Sequence, residues 1–304
     1  MLGPPTVPLV VRLYCEFAGN ADADSDVPWL DAQIDSYAGA GFEIELVLTY
    51  RPRGRTPGTD VPEFTRFVRK IVARYADLGA VTALQVTNEA NVSGSPAASD
   101  GDYPGAIDAL LTGIVAARDE ATRDRREGLE VGFSWAPGVD PRRSAAFFRE
   151  LRRGGRPFLA ALDWVGIDAY PGTWGPPLSH LATESTTGAW LIDLLRAVRM
   201  RCLPLAAIPQ RVSLRLSEIG YPTDHAERTP ERQAQVLRAT VVAAHAARAE
   251  LKLTDYRWFA LRDSNSLDPS FEGNYGLFHH DYSPKPAVAT WRSLVRQLNI
   301  DPDG

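Results

Sequence analysis

Short runs dense in β-branched and aliphatic residues alternate along this chain with longer stretches whose apolar positions recur every three or four residues. The short runs are PLVVRLY (8–14), IELVLTY (44–50), VTALQVTN (81–88), LEVGFSW (129–135), LDWVGIDAY (162–170), VSLRLSE (212–218) and DYRWFAL (255–261). Their length and residue types predict strands. Between them, VPEFTRFVRKIVARYADLG sets Phe64, Phe67, Val68, Ile71, Val72 and Tyr75 along one helical stripe. Pro62 falls at an early helical position and Gly79 follows the last apolar turn, as helix ends favour. AIDALLTGIVAARDEAT, AWLIDLLRAVRM and ERQAQVLRATVVAAHAARAE read the same way.

Strands alternating with helices imply parallel pairing through βα units. The expected class is α/β, a TIM (β/α)8 barrel, for which the chain shows seven strand runs where a closed barrel needs eight. Strand one is expected upstream of Met1, the alternative being that MLGPPTV replaces it irregularly. On the favoured reading, residues 1–304 are a single (β/α)8-type domain shortened at the N-terminus, with unpaired edges on strands two and eight.

Composition narrows the function classes. The 304 residues are 44% hydrophobic, enough for one substantial core, and the net charge is only −5. The basic residues are scattered rather than gathered into a stripe with aromatics, so no nucleic-acid partner is expected. No apolar run is long enough for a membrane span, and the N-terminus lacks the order of a signal peptide. A signal carried by an upstream segment keeps both secreted and cytoplasmic locations open. Cys15 and Cys202 are too few for a disulfide framework and read as small buried hydrophobes, their pairing undecided.

Two glutamates end hydrophobic runs: Glu89 in ALQVTNEANV and Glu218 in VSLRLSEIGYPT. In a parallel barrel such ends meet the βα loops, where catalytic groups gather. The two-residue strand period places Ala83, Gln85, Thr87 and Glu89 on one face of their strand, and Leu214, Leu216 and Glu218 on one face of theirs. With Glu89 ending strand four, Glu218 ends strand seven. Carboxyls about 5–5.5 Å apart allow direct attack on a sugar and a covalent intermediate. The expectation is therefore a retaining β-glycosidase that hydrolyses a β-linked oligo- or polysaccharide by double displacement. Glu89 would serve as general acid and then base, and Glu218 as nucleophile.

Neighbouring residues fit supporting roles. Arg12 is a candidate for keeping Glu218 ionised, with a buried salt bridge as its alternative. Asn88 is placed to meet a sugar 2-hydroxyl, and Tyr170 to orient the nucleophile or contact a ring oxygen. Asp168, two residues earlier, fits an interior polar network. Trp135, Trp174 and Trp258 lie at or just past strand ends, where each either stacks on sugar or packs under a loop. Asp263 and Asn265, in the long polar stretch RDSNSLDPSFEGNYGLF, are candidate substrate ligands.

Blander readings compete. An Asn-Glu pair arises by chance in many chains, and Glu218 followed by Gly220 and Pro222 fits a turn. The two acids at matched strand ends outweigh these. His180, His225 and His245 are scattered and His279 adjoins His280 without H-E-x-x-H, so neither a metal nor a cofactor is expected. There is no GxSxG elbow, and Lys252 precedes the last strand instead of ending one, which disfavours an aldolase-like barrel.

With TNEA around Glu89, SEIGYPT around Glu218, VVRLY around Arg12, IDAYPG around Tyr170 and the ending YGLFHHDYSPKPA, the chain resembles glycoside hydrolase clan A from strand two onward. The resemblance implies an acid/base on strand four, a nucleophile on strand seven and a supporting Arg12. It also implies that Asn88 binds the 2-hydroxyl and that Tyr170 touches the reacting centre. Families 5 and 39 and those acting on β-1,3-glucans or β-galactans share this grammar. One departure stands out: where many members carry a Trp at the end of strand eight, Trp258 comes early and Ala260 or Leu261 lies nearer the loop. The competing class is a non-catalytic or inactive carbohydrate-binding barrel.

Overall fold

The computed structural model describes residues 9–20, 27–53, 60–75, 77–126, 128–138, 140–176, 178–224 and 228–299. MLGPPTV and His225 lie outside the described residues. In chain order the strands and helices are β1 (Val10–Phe17), α1 (Val27–Gly39), β2 (Glu43–Tyr50), α2 (Asp60–Arg74), β3 (Val81–Val86), α3 (Ala106–Arg123), β4 (Glu130–Trp135), α4 (Pro141–Leu151), α5 (Gly155–Ala161), β5 (Trp164–Ala169), α6 (Glu184–Ala197), α7 (Leu203–Leu205), β6 (Ser213–Ile219), α8 (Pro230–Leu251), β7 (Leu253–Trp258) and α9 (Pro286–Asn299). The strands form one seven-stranded sheet in the order β1 to β7, parallel in its registers. Among the described residues this is an α/β fold with the strand order of a (β/α)8 barrel and one strand fewer. No described helix is long and apolar enough to cross a membrane.

By its internal packing the chain divides into two compact units. Among the described residues one comprises residues 9–166 and 202–213. In β2, Ile44 to Tyr50 are all buried, the mark of a strand covered on both faces. Helix α2 buries Phe64, Phe67, Val68, Ile71 and Val72, and Asp60 and Glu63 in its first turn complement the helix dipole. Phe64 meets Phe17 of β1 edge-on at 5.5 Å and Tyr50 of β2 at 5.3 Å. Burying each such ring stabilises the fold by about 1.5–3 kcal/mol.

Among the described residues the other unit comprises residues 167–201 and 214–299. Thr229 caps α8 by accepting the Arg232 N–H, Pro230 fills the first turn, and Lys252 ends the helix in a left-handed conformation. Leu237, Leu277, Ala287, Val288 and Leu294 form a core cluster, against which Tyr256 and Trp258 of β7 pack. Thr183 and Thr186 make a capping box at the start of α6.

Candidate functional site

In the first unit, the chain leaves β3 at Val86, two residues earlier than its hydrophobic run predicts. Thr87 (φ 63°) and Glu89 (φ 47°) are both left-handed, a conformation costing about 1–3 kcal/mol at a non-glycine residue. The strand period therefore does not carry Thr87 and Glu89 onto one face with Gln85; a strained turn places them instead.

That turn is held by Asp100, a residue with no periodic signal in the sequence. Its Oδ2 accepts the backbone N–H of Tyr50 at 2.8 Å and of Asn88 at 2.7 Å, and its own N–H donates to the Asn88 carbonyl at 2.8 Å. Arg51 Nε donates to Oδ1 at 3.4 Å. Burial pushes the Asp100 carboxyl up to about 7, against the backbone donors and Arg51, which favour its charge. The adjacent Ser99 hydroxyl donates to Glu89 Oε2 at 2.5 Å, and the Glu89 N–H donates to Ser134 Oγ at 3.2 Å.

Gln85 joins this group from inside β3. Its Nε2 donates to Asn88 Oδ1 at 3.0 Å and to Ser134 Oγ at 3.1 Å, while its Oε1 accepts from Arg12 Nη2 at 2.6 Å. Arg12 also pairs with the fully buried Glu45 through Nε at 2.9 Å, which realises its salt-bridge alternative. Asn88 Nδ2 donates to the Ala98 carbonyl at 2.9 Å. Trp135 is only 3% exposed and packs at 5.5 Å against Phe148 of α4, so its ring is a core element rather than a sugar platform.

In the second unit, Glu218 is the penultimate residue of β6 with 6% of its surface exposed, and the Tyr170 hydroxyl donates to its Oε2. Ser217 Oγ donates to Asp168 Oδ1 at 2.6 Å, giving Asp168 the interior polar partner its position predicts. Asp168 and Glu218 bring carboxylate oxygens within 4.8 Å of each other.

An aromatic wall stands beside Glu218. Tyr170, Phe259 and Tyr275 meet edge-on at 5.4–5.9 Å, and the Tyr275 hydroxyl lies 3.0 Å from Thr173 Oγ1. Burial holds the Tyr275 phenol above its usual range. Gly220 is needed for this approach, since a Cβ there would sit 2.4 Å from the Phe259 carbonyl. Phe259, rather than Ala260 or Leu261, is the side chain of the β7 end that faces Tyr170. Trp258 points the other way, into the cluster with α8 and α9, so strand alternation removes it from the ligand candidates. Trp174 is 57% exposed and is steadied edge-on by Phe271 at 5.7 Å.

Asp263 is also a correction. Its Oδ1 accepts from the buried Lys285 Nζ at 2.7 Å and from the Gly276 N–H at 2.7 Å, and its Oδ2 accepts from Ser266 at 2.7 Å. Lys285 further donates to Thr223 Oγ1 at 2.8 Å. A carboxylate so enclosed anchors the loop instead of binding substrate. Asn265 is exposed and its Oδ1 caps a turn by accepting the Leu267 N–H at 3.0 Å. His279 Nδ1 lies 3.7 Å from Asp263 Oδ2.

No protein-family model matches the chain, and no curated protein matches it in sequence. Solved structures do share its fold. A fungal β-1,4-galactanase structure is 12% identical with a TM-score of 0.67, covering 94% of this chain and 87% of the galactanase. A GH5_18 protein from Bifidobacterium longum subsp. infantis is 18% identical with a TM-score of 0.70, covering 95% and 70%. Xylanase 10B from Thermotoga maritima is 14% identical with a TM-score of 0.61, covering 93% and 83%. The chain has a glycoside-hydrolase-like fold.

Proposed function

We propose that the chain is a retaining β-glycosidase acting as one catalytic domain, and that it hydrolyses O-glycosidic bonds of a β-linked oligo- or polysaccharide by double displacement. The observation that carries this reading is Glu218, a nearly buried carboxylate at the carboxyl end of β6 with a phenol donating to one of its oxygens. Glu89, just past the carboxyl end of β3 in the same parallel order, supplies the second acid. The reading requires the two carboxyls to face one another about 5–5.5 Å apart across the bound sugar.

In the first step Glu218 attacks the anomeric carbon. The bond from that carbon to the leaving oxygen breaks, and the Glu89 proton passes to that oxygen. In the second step Glu89 takes a proton from water, whose oxygen displaces Glu218 and restores the starting configuration. The Tyr170 hydroxyl holds Glu218 Oε2, which aims the other oxygen at the sugar. Asn88 has one amide N–H beyond the bond to Ala98 with which to hold the 2-hydroxyl. Trp174 offers the exposed flat face on which a sugar ring stacks.

β-1,4-galactanases and a xylanase among the neighbours in fold support a β-linked substrate class without selecting a sugar. The test is turnover of aryl β-glucoside, xyloside, galactoside and mannoside and of β-glucan and β-galactan polymers, with the first-formed anomer followed by NMR. Turnover of at least one substrate with a β product supports the proposal. Binding of sugar without turnover favours the non-catalytic barrel, and an α product rejects double displacement.

A further inference from the structure

Ser99 occupies the residue before the single-turn helix Asp100–Asp102, where a serine side chain ordinarily accepts a backbone N–H, yet it makes no such capping bond. Its hydroxyl is directed onto Glu89 Oε2, 2.5 Å away, and the residue is 1% exposed. The surrounding backbone leaves it little freedom. The Ser99 N–H donates to the Ser95 carbonyl at 2.8 Å, and Asp100 ties the next residue to Tyr50 and Asn88. On the other side, Gly101 lies so close to the segment after Glu89 that a Cβ there would sit 2.2 Å from the Val92 carbonyl oxygen and 2.9 Å from that of Ala90. The preceding carbonyl, Ala98, is engaged by Asn88 Nδ2 at 2.9 Å and by Arg51 Nη2 at 3.0 Å.

We infer that Ser99 is a positioning residue for Glu89: its hydroxyl occupies Oε2, so that the acid proton is carried and delivered by Oε1. The inference rests on reading Glu89 as the acid/base. A protonated carboxyl accepts hydrogen bonds best at its carbonyl oxygen, so a fixed donor at Oε2 selects the tautomer with the proton on Oε1. It also opposes rotation of the carboxyl about its own axis. Without the hydroxyl, the proton distributes over both oxygens and the group loses its fixed aim, a loss that kcat/KM, which reports the first step, registers only when the leaving group needs a proton.

Paired dinitrophenyl and phenyl β-glycosides of glucose, galactose, mannose and xylose separate these requirements. Dinitrophenolate departs unaided, whereas phenolate needs the acid. The readout is the ratio of kcat/KM for the phenyl and dinitrophenyl members of a pair on one preparation of the full chain, a ratio that cancels differences in active fraction. Ser99→Ala is expected to lower it by about 10-fold, part of the 10²–10⁴-fold that general acid catalysis contributes. The dinitrophenyl kcat/KM should stay near that of the unaltered chain, and Ser99→Thr, which keeps a hydroxyl, should restore the ratio.

Glu89→Gln is the control. If it collapses the ratio while Ser99→Ala leaves it unchanged, the positioning role is overturned and Glu89 stands. Equal loss of both rates in Ser99→Ala overturns it as well, because a structural role alone predicts that. An unchanged ratio in Glu89→Gln, or no turnover of any pair by the unaltered chain, removes the acid assignment and the inference with it.

Discussion

Replacing Asp100 with Asn tests how the strained turn before Glu89 is held. Asp100 is fully enclosed, and burial moves its carboxyl from about 3.8 in the unfolded chain up to about 7 in the folded one. Between those values the folded state keeps a proton that the unfolded state has released. Stability contributed by that proton is therefore complete below about pH 4 and is lost as the pH rises through 7. At 1.36 kcal/mol per pH unit over roughly three units, the loss is about 4 kcal/mol. An Asn whose amide oxygen replaces Oδ2 still accepts the Tyr50 and Asn88 N–H groups but does not titrate. Urea unfolding at 25 °C, followed by circular dichroism at pH 4, 6 and 8, gives the stability of each form. The unaltered chain should lose about 4 kcal/mol relative to Asp100→Asn between pH 4 and 8. A difference that stays flat, or one that grows in favour of the unaltered chain with rising pH, refutes the argument that burial dominates at this carboxyl.

Tyr170→Phe removes the hydroxyl that donates to Glu218 and keeps the ring among Phe259 and Tyr275. Loss of a hydrogen bond to a charged group costs about 1.5–3 kcal/mol, so kcat/KM on an aryl glycoside should fall about 10- to 150-fold with the melting temperature little changed. A rate within twofold of the unaltered chain contradicts the aiming role. Lys285→Met strands the buried Asp263 carboxylate and should cost about 3–5 kcal/mol in urea unfolding. Adding Asp263→Leu should recover much of that loss, and failure to recover it would show that the pair is not the source.

The sheet was legible where burial is two-sided or strictly periodic. IELVLTY reads as a strand because β2 is covered on both faces, and the Phe64 to Val72 stripe reads as a helix because α2 buries that stripe. Helix α1 carried a weaker signal: Val27, Leu30 and Ile34 are buried, but Trp29 between them is exposed, which blurs the apolar face. The end of β3 could not be read because β-branched Thr87 favours a strand and is turned left-handed by bonds to Asp100, whose partners lie 12 and 50 residues away in sequence. Trp135 and Trp174 look alike in sequence, and only packing against Phe148 or projection beside Phe271 separates them. That Tyr170 meets Glu218 is partly legible, since acid and phenol both close hydrophobic strand runs. Ser99 sits in a loop of small and polar residues where no spacing distinguishes it.

The central claim is that Glu218 is the nucleophile, and chemical rescue tests it most directly. Glu218→Ala should abolish turnover of the dinitrophenyl β-glycoside that the unaltered chain cleaves. Added azide should restore it in part and yield the α-glycosyl azide, since a small anion then attacks from the face the carboxylate vacated. Turnover that persists in Glu218→Ala without azide would contradict the account.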